Sequence, residues 1–243
     1  MAETAIDTGA GELIASLDAG VLTLTLNRPE ARNAMSGEMN QALGAQLAAA
    51  EVDPEVKVLV LTGAGQGFCA GGDVKGMDRN NAATGGETTL DEQIATQRLN
   101  QRATAGKLFT IPKPTIAALP GAAAGAGLAL ALACDIRIAA ESAIMATGYA
   151  RIGLTGDYGV AWLLTRLVGT SRARELLFLS ERIDARRCET LGLVNRVVPD
   201  ADLREAAFAL AKSLAEGPSI ALACIKDNLD HAVTSRPRSS RSH

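Results

Sequence analysis

The sequence predicts an α/β fold, on three observations: short buried β runs alternate with helical segments, strand–helix–strand units recur, and a glycine-rich loop twice follows a buried strand. Three such turns, rather than five, fit a spiral better than a doubly wound sheet. With 243 residues and 47% hydrophobic content, the chain can bury one sizeable core.

The elements follow in order. Val21 to Leu26 (VLTLTL) alternates as a strand and stops at Asn27-Arg28-Pro29, a turn signal. Ser36 can cap a helix on which Met39, Leu43 and Leu47 share one face up to the break at Asp53-Pro54. Lys57 to Thr62 (KVLVLT) is a buried strand that feeds a glycine-rich loop, Gly63 to Gly76. Asn80 to Gly86 is predicted as a mobile loop before a helix over Leu90 to Leu108. The unit then recurs: strand Thr115 to Leu119, helix Gly125 to Ala133, strand Asp135 to Ala139.

The later segments turn helical: Tyr158 to Val168, Arg172 to Ser180 and Ala185 to Leu191. A short strand at Leu193 to Val198 precedes helices over Asp202 to Leu214 and Ile220 to Ala232, the latter N-capped by Ser219.

Composition excludes several classes. A net charge of −3 and a pI near 5.5 argue against a nucleic-acid footprint or a polybasic membrane surface, leaving small molecules or copies of the chain as partners. Cys69, Cys134, Cys188 and Cys224 form no C-x-x-C pair, so they predict neither a metal site nor a disulfide scaffold but reduced, mostly buried thiols. The first twenty residues carry Glu3, Asp7, Glu12 and Asp18 and no basic n-region, which predicts a cytoplasmic protein. Pro114 to Cys134 is uncharged, but Ala and Gly dominate and Pro120 interrupts; a buried strand–turn–helix is expected.

Chemistry points to the two glycine-rich loops, Gly67-Phe68-Cys69-Ala70-Gly71-Gly72-Asp73-Val74-Lys75 and Gly121-Ala122-Ala123-Ala124-Gly125-Ala126-Gly127. Small side chains let a ligand carbonyl approach the backbone N–H groups, and the second loop opens a helix whose dipole favours developing negative charge. Glycine content alone equally describes two tight packing turns. Gly65 to Ala70 also fits G-x-G-x-x-A, although Gly71-Gly72-Asp73 does not continue the apolar helix a dinucleotide site requires.

Three stretches together, LNRPEARNAM (Leu26 to Met35), FCAGGDVK (Phe68 to Lys75) and GAAAGAGLALALACDIRIA (Gly121 to Ala139), resemble the marks of the enoyl-CoA hydratase/isomerase (crotonase) family in order and spacing. The resemblance covers roughly residues 12 to 230. It implies a crotonase-type spiral of ββα turns with a C-terminal helical region, assembled as a homotrimer or a dimer of trimers, acting on an acyl-CoA thioester without a separate cofactor. It also implies that the backbone N–H groups of Gly72 and Ala126 bind the thioester oxygen. Arg32, Ala34, Ala70, Gly72, Asp73 and Val74 would line the CoA groove. The expected organisation is a spiral core over 1–198, a shortened helical region over 199–234, and a disordered basic tail over 235–243.

The acid–base group is less conventional. Members that hydrate enoyl-CoA carry two glutamates, and the resemblance places them at Ala129 and Tyr149; both are missing here. Asp157, in Gly153-Leu154-Thr155-Gly156-Asp157, looks like the base of dienoyl-CoA isomerases and of the ring-epoxide and oxepin-type phenylacetyl-CoA isomerases. One carboxylate can take a proton from one carbon and return it to another. Asp157 can equally serve as the N-cap of the Tyr158 to Val168 helix. Core packing is the favoured role for Tyr149, Tyr158 and Trp162, and His231 and His243 receive none. The expectation is therefore double-bond isomerisation with Asp157 as acid/base; enoyl-CoA hydration in fatty-acid β-oxidation and non-catalytic acyl-CoA binding are the alternatives.

Overall fold

Residues 3–73 and 89–234 are described by the computed structural model. Val74, the Asn80 to Gly86 stretch and the tail over 235–243 lie outside them. Three strands come first: β1 (Thr4–Ile6), β2 (Leu13–Asp18) and β3 (Val21–Leu26). Between β2 and β3, Ala19 and Gly20 both have positive φ, as a two-residue type I′ turn requires, and Asp18 pairs with Val21.

Ser36 caps α1 (Gly37–Val52), its hydroxyl accepting from the Met39 N–H at 3.0 Å, and Met39, Leu43 and Leu47 are buried as their spacing predicts. Next come β4 (Val58–Gly63) and β5 (Gly67–Cys69), so part of the stretch predicted as loop is strand. A Thr89/Glu92 capping box starts α2 (Leu90–Gln101), which passes through a π-helical turn at Arg102–Gly106 into α3 (Lys107–Thr110). The single predicted helix is thus bulged.

Beyond it lie β6 (Thr115–Leu119), β7 (Ala122–Ala124), α4 (Ala126–Ala133), β8 (Ile136–Ala140) and β9 (Ile144–Ala146). Then α5 (Val160–Leu179) is broken at Gly169, where φ is 75°, matching the two helical segments the sequence predicts. The remainder is β10 (Ile183–Asp184), α6 (Ala185–Leu191), β11 (Arg196–Val198), α7 (Leu203–Ala215) and α8 (Ser219–Thr234).

Topology makes the spiral explicit. One sheet runs β1-β2-β3-β4-β6-β8-β11 and the other β10-β9-β7-β5. Each pair β4/β5, β6/β7 and β8/β9 therefore sends one strand to each sheet before the chain moves on, which is a ββα turn repeated three times. All joins from β3 through β11 in the large sheet are parallel, as are β5·β7 and β7·β9 in the small one. Alternation sorts the large sheet's faces: Leu59 and Leu61 join the inner core with Phe68 and α4, whereas Val58, Val60, Ile116 and Ile138 pack under Leu203, Ala207 and Ala211 of α7. Within the uncharged run from Pro114, β6 and α4 are buried at every residue, whereas Ala122 of β7, between them, is exposed. Among the described residues no single helix is long and apolar enough to cross a membrane; α7 and α8 reach that length only as a pair bent by 104°.

Candidate active site

The two glycine-rich loops meet because their short strands, β5 and β7, are neighbours in the small sheet, with Gly67 opposite Ala122 and Cys69 opposite Ala123. Their contact is close. A Cβ on Gly71 (φ 102°) would stand 3.0 Å from the Ala124 carbonyl oxygen and 3.5 Å from the Ala126 nitrogen. One on Gly127 would fall 2.4 Å from the Cys69 carbonyl oxygen. No substituted residue fits either place without displacement, so glycine here is a condition of the two loops touching.

Ala126 is the first residue of α4, and its N–H is one of the donors that a helix start leaves unpaired. Gly72 bridges Met35 in parallel register: the Met35 N–H donates to the Gly71 carbonyl at 2.8 Å and the Asp73 N–H to the Met35 carbonyl at 3.1 Å. That pattern uses the groups flanking Gly72 and leaves its own N–H out of the bridge. The two N–H groups named from the sequence therefore sit on adjoining loops.

The residues expected along the CoA groove, apart from Val74, which lies outside the described residues, are also brought together. Segment 32–35 runs beside segment 70–73, with the Ala70 N–H donating to the Arg32 carbonyl at 3.0 Å. Arg32 and Ala70 are exposed and Ala34 half-buried. Asp73 accepts from both terminal nitrogens of Arg28 at 3.1 Å, while Arg28 also pairs with Glu12 at 2.9 Å and donates to the Ala34 carbonyl at 2.7 Å. Asp73 thus ties the rim together.

Asn33 escaped sequence reasoning. It is fully buried at φ 55°, its Oδ1 accepts from the Arg28 N–H at 2.9 Å, and its Nδ2 donates to the carbonyls of Ala64 and Gly67 at 3.0 and 2.8 Å. An asparagine after a Pro-initiated turn is the signal that could have flagged it.

Asp157 is not the helix cap that its position allows. The helix begins at Val160, after Tyr158 and Gly159 both adopt left-handed conformations (φ 49° and 77°), and no side chain caps it. Those two residues turn the carboxylate away. Its Oδ1 instead accepts from the Tyr149 phenol at 2.6 Å and its Oδ2 from the Gln97 amide at 3.2 Å. Tyr149 is 6% exposed, packed as expected, but its hydroxyl is committed to Asp157. Burial, reinforced by the Asp157 charge, pushes the Tyr149 phenol's pKa up, so it remains a donor. Tyr158 is buried too, and donates to the Asn40 Oδ1 at 3.1 Å.

Distance to the loops is short. A Cβ on Gly125 would lie 3.8 Å from Tyr149 Cζ, so the tyrosine ring bridges the second loop and Asp157. Ala129 is fully buried within α4. Trp162 departs from the core packing expected of it: it is 41% exposed, edge-on to Phe109, with the Arg166 guanidinium 3.3 Å above its ring. It borders a cavity of about 540 Å³ that also touches Leu132, Ala133 and Cys134. Those residues end α4, about 12 Å along the helix from Ala126, so this cavity is not the junction of the loops.

Comparison with known proteins follows the geometry. The sequence profile described as enoyl-CoA hydratase/isomerase matches residues 16–242. The chain is 40% identical over 222 residues to a 1,2-epoxyphenylacetyl-CoA isomerase of Escherichia coli, covering 91% of this chain and 83% of that protein. It is also 40% identical over 220 residues to a probable enoyl-CoA hydratase of Rhodobacter capsulatus, covering 90% and 80%. The crystal structure of an enoyl-CoA hydratase from Polaromonas superposes with a TM-score of 0.85 at 38% identity, over 93% of this chain and 86% of that one.

Proposed function

The chain belongs to the enoyl-CoA hydratase/isomerase family, and we propose that within it this enzyme moves a double bond in an acyl-CoA thioester through an enolate. The observation that carries the reading is the Asp157 carboxylate, turned away from the helix start and tethered through Tyr149 to the loop that bears Ala126. Tyr149 and the buried Ala129 stand where the resemblance puts the two hydratase glutamates, which leaves Asp157 as the carboxylate for proton transfer.

The thioester oxygen accepts from the N–H groups of Gly72 and Ala126, and Asp157 takes a proton from the carbon that becomes part of the dienolate. The electron pair of the broken C–H bond moves onto the oxygen, where the two donors and the start of α4 stabilise it. Return of the same proton to a second carbon regenerates the carboxylate and shifts the double bond. Atoms and electrons balance without a further reactant. The segments 32–35 and 70–73 hold the CoA moiety. A trimeric assembly and a cytoplasmic location complete this reading.

Asp157→Asn tests it. Isomerisation of 3-enoyl or dienoyl thioesters should fall by about 10²- to 10⁴-fold while acyl-CoA binding persists. Unchanged turnover would overturn the assignment. Water addition to crotonyl-CoA at a rate matching isomerisation would favour hydration instead.

A further inference from the structure

The phenol of Tyr149 does no chemistry in the reaction as drawn, yet it makes a short bond to the group that does. We propose that Tyr149 is a positioning residue: it pins Oδ1 of Asp157, so that Oδ2 alone takes up and returns the substrate proton. The inference rests on Asp157 being the proton carrier.

Geometry supports the pin. Tyr149 is 6% exposed, and its ring lies between two glycines: a Cβ on Gly125 would be 3.8 Å from Cζ and one on Gly156 would be 3.8 Å from Cδ2. The hydroxyl is therefore fixed relative to the loop carrying the Ala126 N–H. At 2.6 Å, the phenol–carboxylate distance is that of a charge-assisted bond. Gln97, which reaches Oδ2 from α2, is exposed and its bond is longer at 3.2 Å, so Oδ2 is the oxygen that a substrate can claim.

A mechanistic consequence follows. An unpinned carboxylate can turn about its Cβ–Cγ bond and release the acquired proton to solvent before returning it. Pinning keeps uptake and return on one oxygen and one face of the substrate. Part of a deuterium label then travels from the donor carbon to the acceptor carbon.

The test uses Tyr149→Phe, which keeps the ring and its packing and deletes the hydroxyl. With 3-hexenoyl-CoA deuterated at the donor carbon, kcat should fall roughly 10- to 100-fold, the worth of a hydrogen bond to a charged group. KM should stay within about twofold, because the lost bond does not touch the bound ester. The fraction of label carried into product should fall as well, a readout that ring packing alone would not move. In an Asp157→Asn background the substitution should have no further effect. Unchanged kcat and label transfer in Tyr149→Phe, with Asp157→Asn inactive, would overturn the positioning role and leave the base in place. Full turnover by Asp157→Asn would overturn both.

Discussion

The site is assembled from two regions built on opposite principles. The two glycine-rich loops are backbone: Gly71 and Gly127 contribute the absence of side chains, β5 and β7 of the small sheet hold the loops in register, and the proposed donors, the N–H groups of Gly72 and Ala126, belong to the main chain. The region proposed for proton transfer is side chain: Tyr149, Asp157 and Gln97 meet from a loop and a helix, with no shared strand to fix them. A backbone site tolerates sequence drift as long as the chain can pack that tightly. A side-chain site changes its chemistry with one substitution. Relatives of this chain are named both as an isomerase and as a hydratase, and a side-chain site is the part of such a scaffold that one substitution can redirect.

Substitutions should separate the regions. Gly127→Ala puts a Cβ against the Cys69 carbonyl and pushes the loops apart, so proton exchange on an acyl-CoA probe should fall by about 10²- to 10³-fold even though Asp157 is untouched. Smaller and more local, Gly71→Ala forces a side chain into φ 102° beside the Ala124 carbonyl and should lower stability in urea by about 1–3 kcal/mol. Gly72→Ala, whose Cβ meets nothing within 4 Å among the described residues, should cost less than about 0.5 kcal/mol. Equal losses at the two glycines would contradict the loop geometry.

The smallest effect concerns thiols. Burial pushes Cys69, Cys134 and Cys188 from an ordinary 9.0 up to about 12, while Cys224 is exposed. At neutral pH a thiol reagent should therefore label Cys224 quickly and the other three only on unfolding. Below pH 9 these thiols are neutral whether folded or not. Above it the unfolded chain ionises first, so urea midpoints should decline as the pH rises from 9 toward 12.

Sequence periodicity exposes the parts of this fold that are long enough to have a period. β3, β4, β6 and α1 match their predicted spans within a residue or so, because alternation or a helical stripe runs over five residues or more. β5, β7 and β9 have three residues each and β10 two, too few for any pattern, and they build the small sheet that joins the loops. The loops themselves are readable as glycine-rich motifs, and their meeting follows from the family resemblance, but the three-residue strands that bring them together leave no signal of their own. Asp157 was visible as a carboxylate after Gly156. Its role as a cap failed because Tyr158, a bulky residue, adopts φ 49°, which residue statistics disfavour. Its partner Gln97 lies 60 residues away and left no local signal.

Proton exchange in D₂O, followed by NMR on an acyl-CoA ester, tests the central claim most directly because it reports enolate formation before any product is assumed. The native enzyme should wash deuterium into the ester and Asp157→Asn should not, with both binding it. Exchange that persists in Asp157→Asn, or native enzyme that binds the ester and neither exchanges nor isomerises it, would contradict the account.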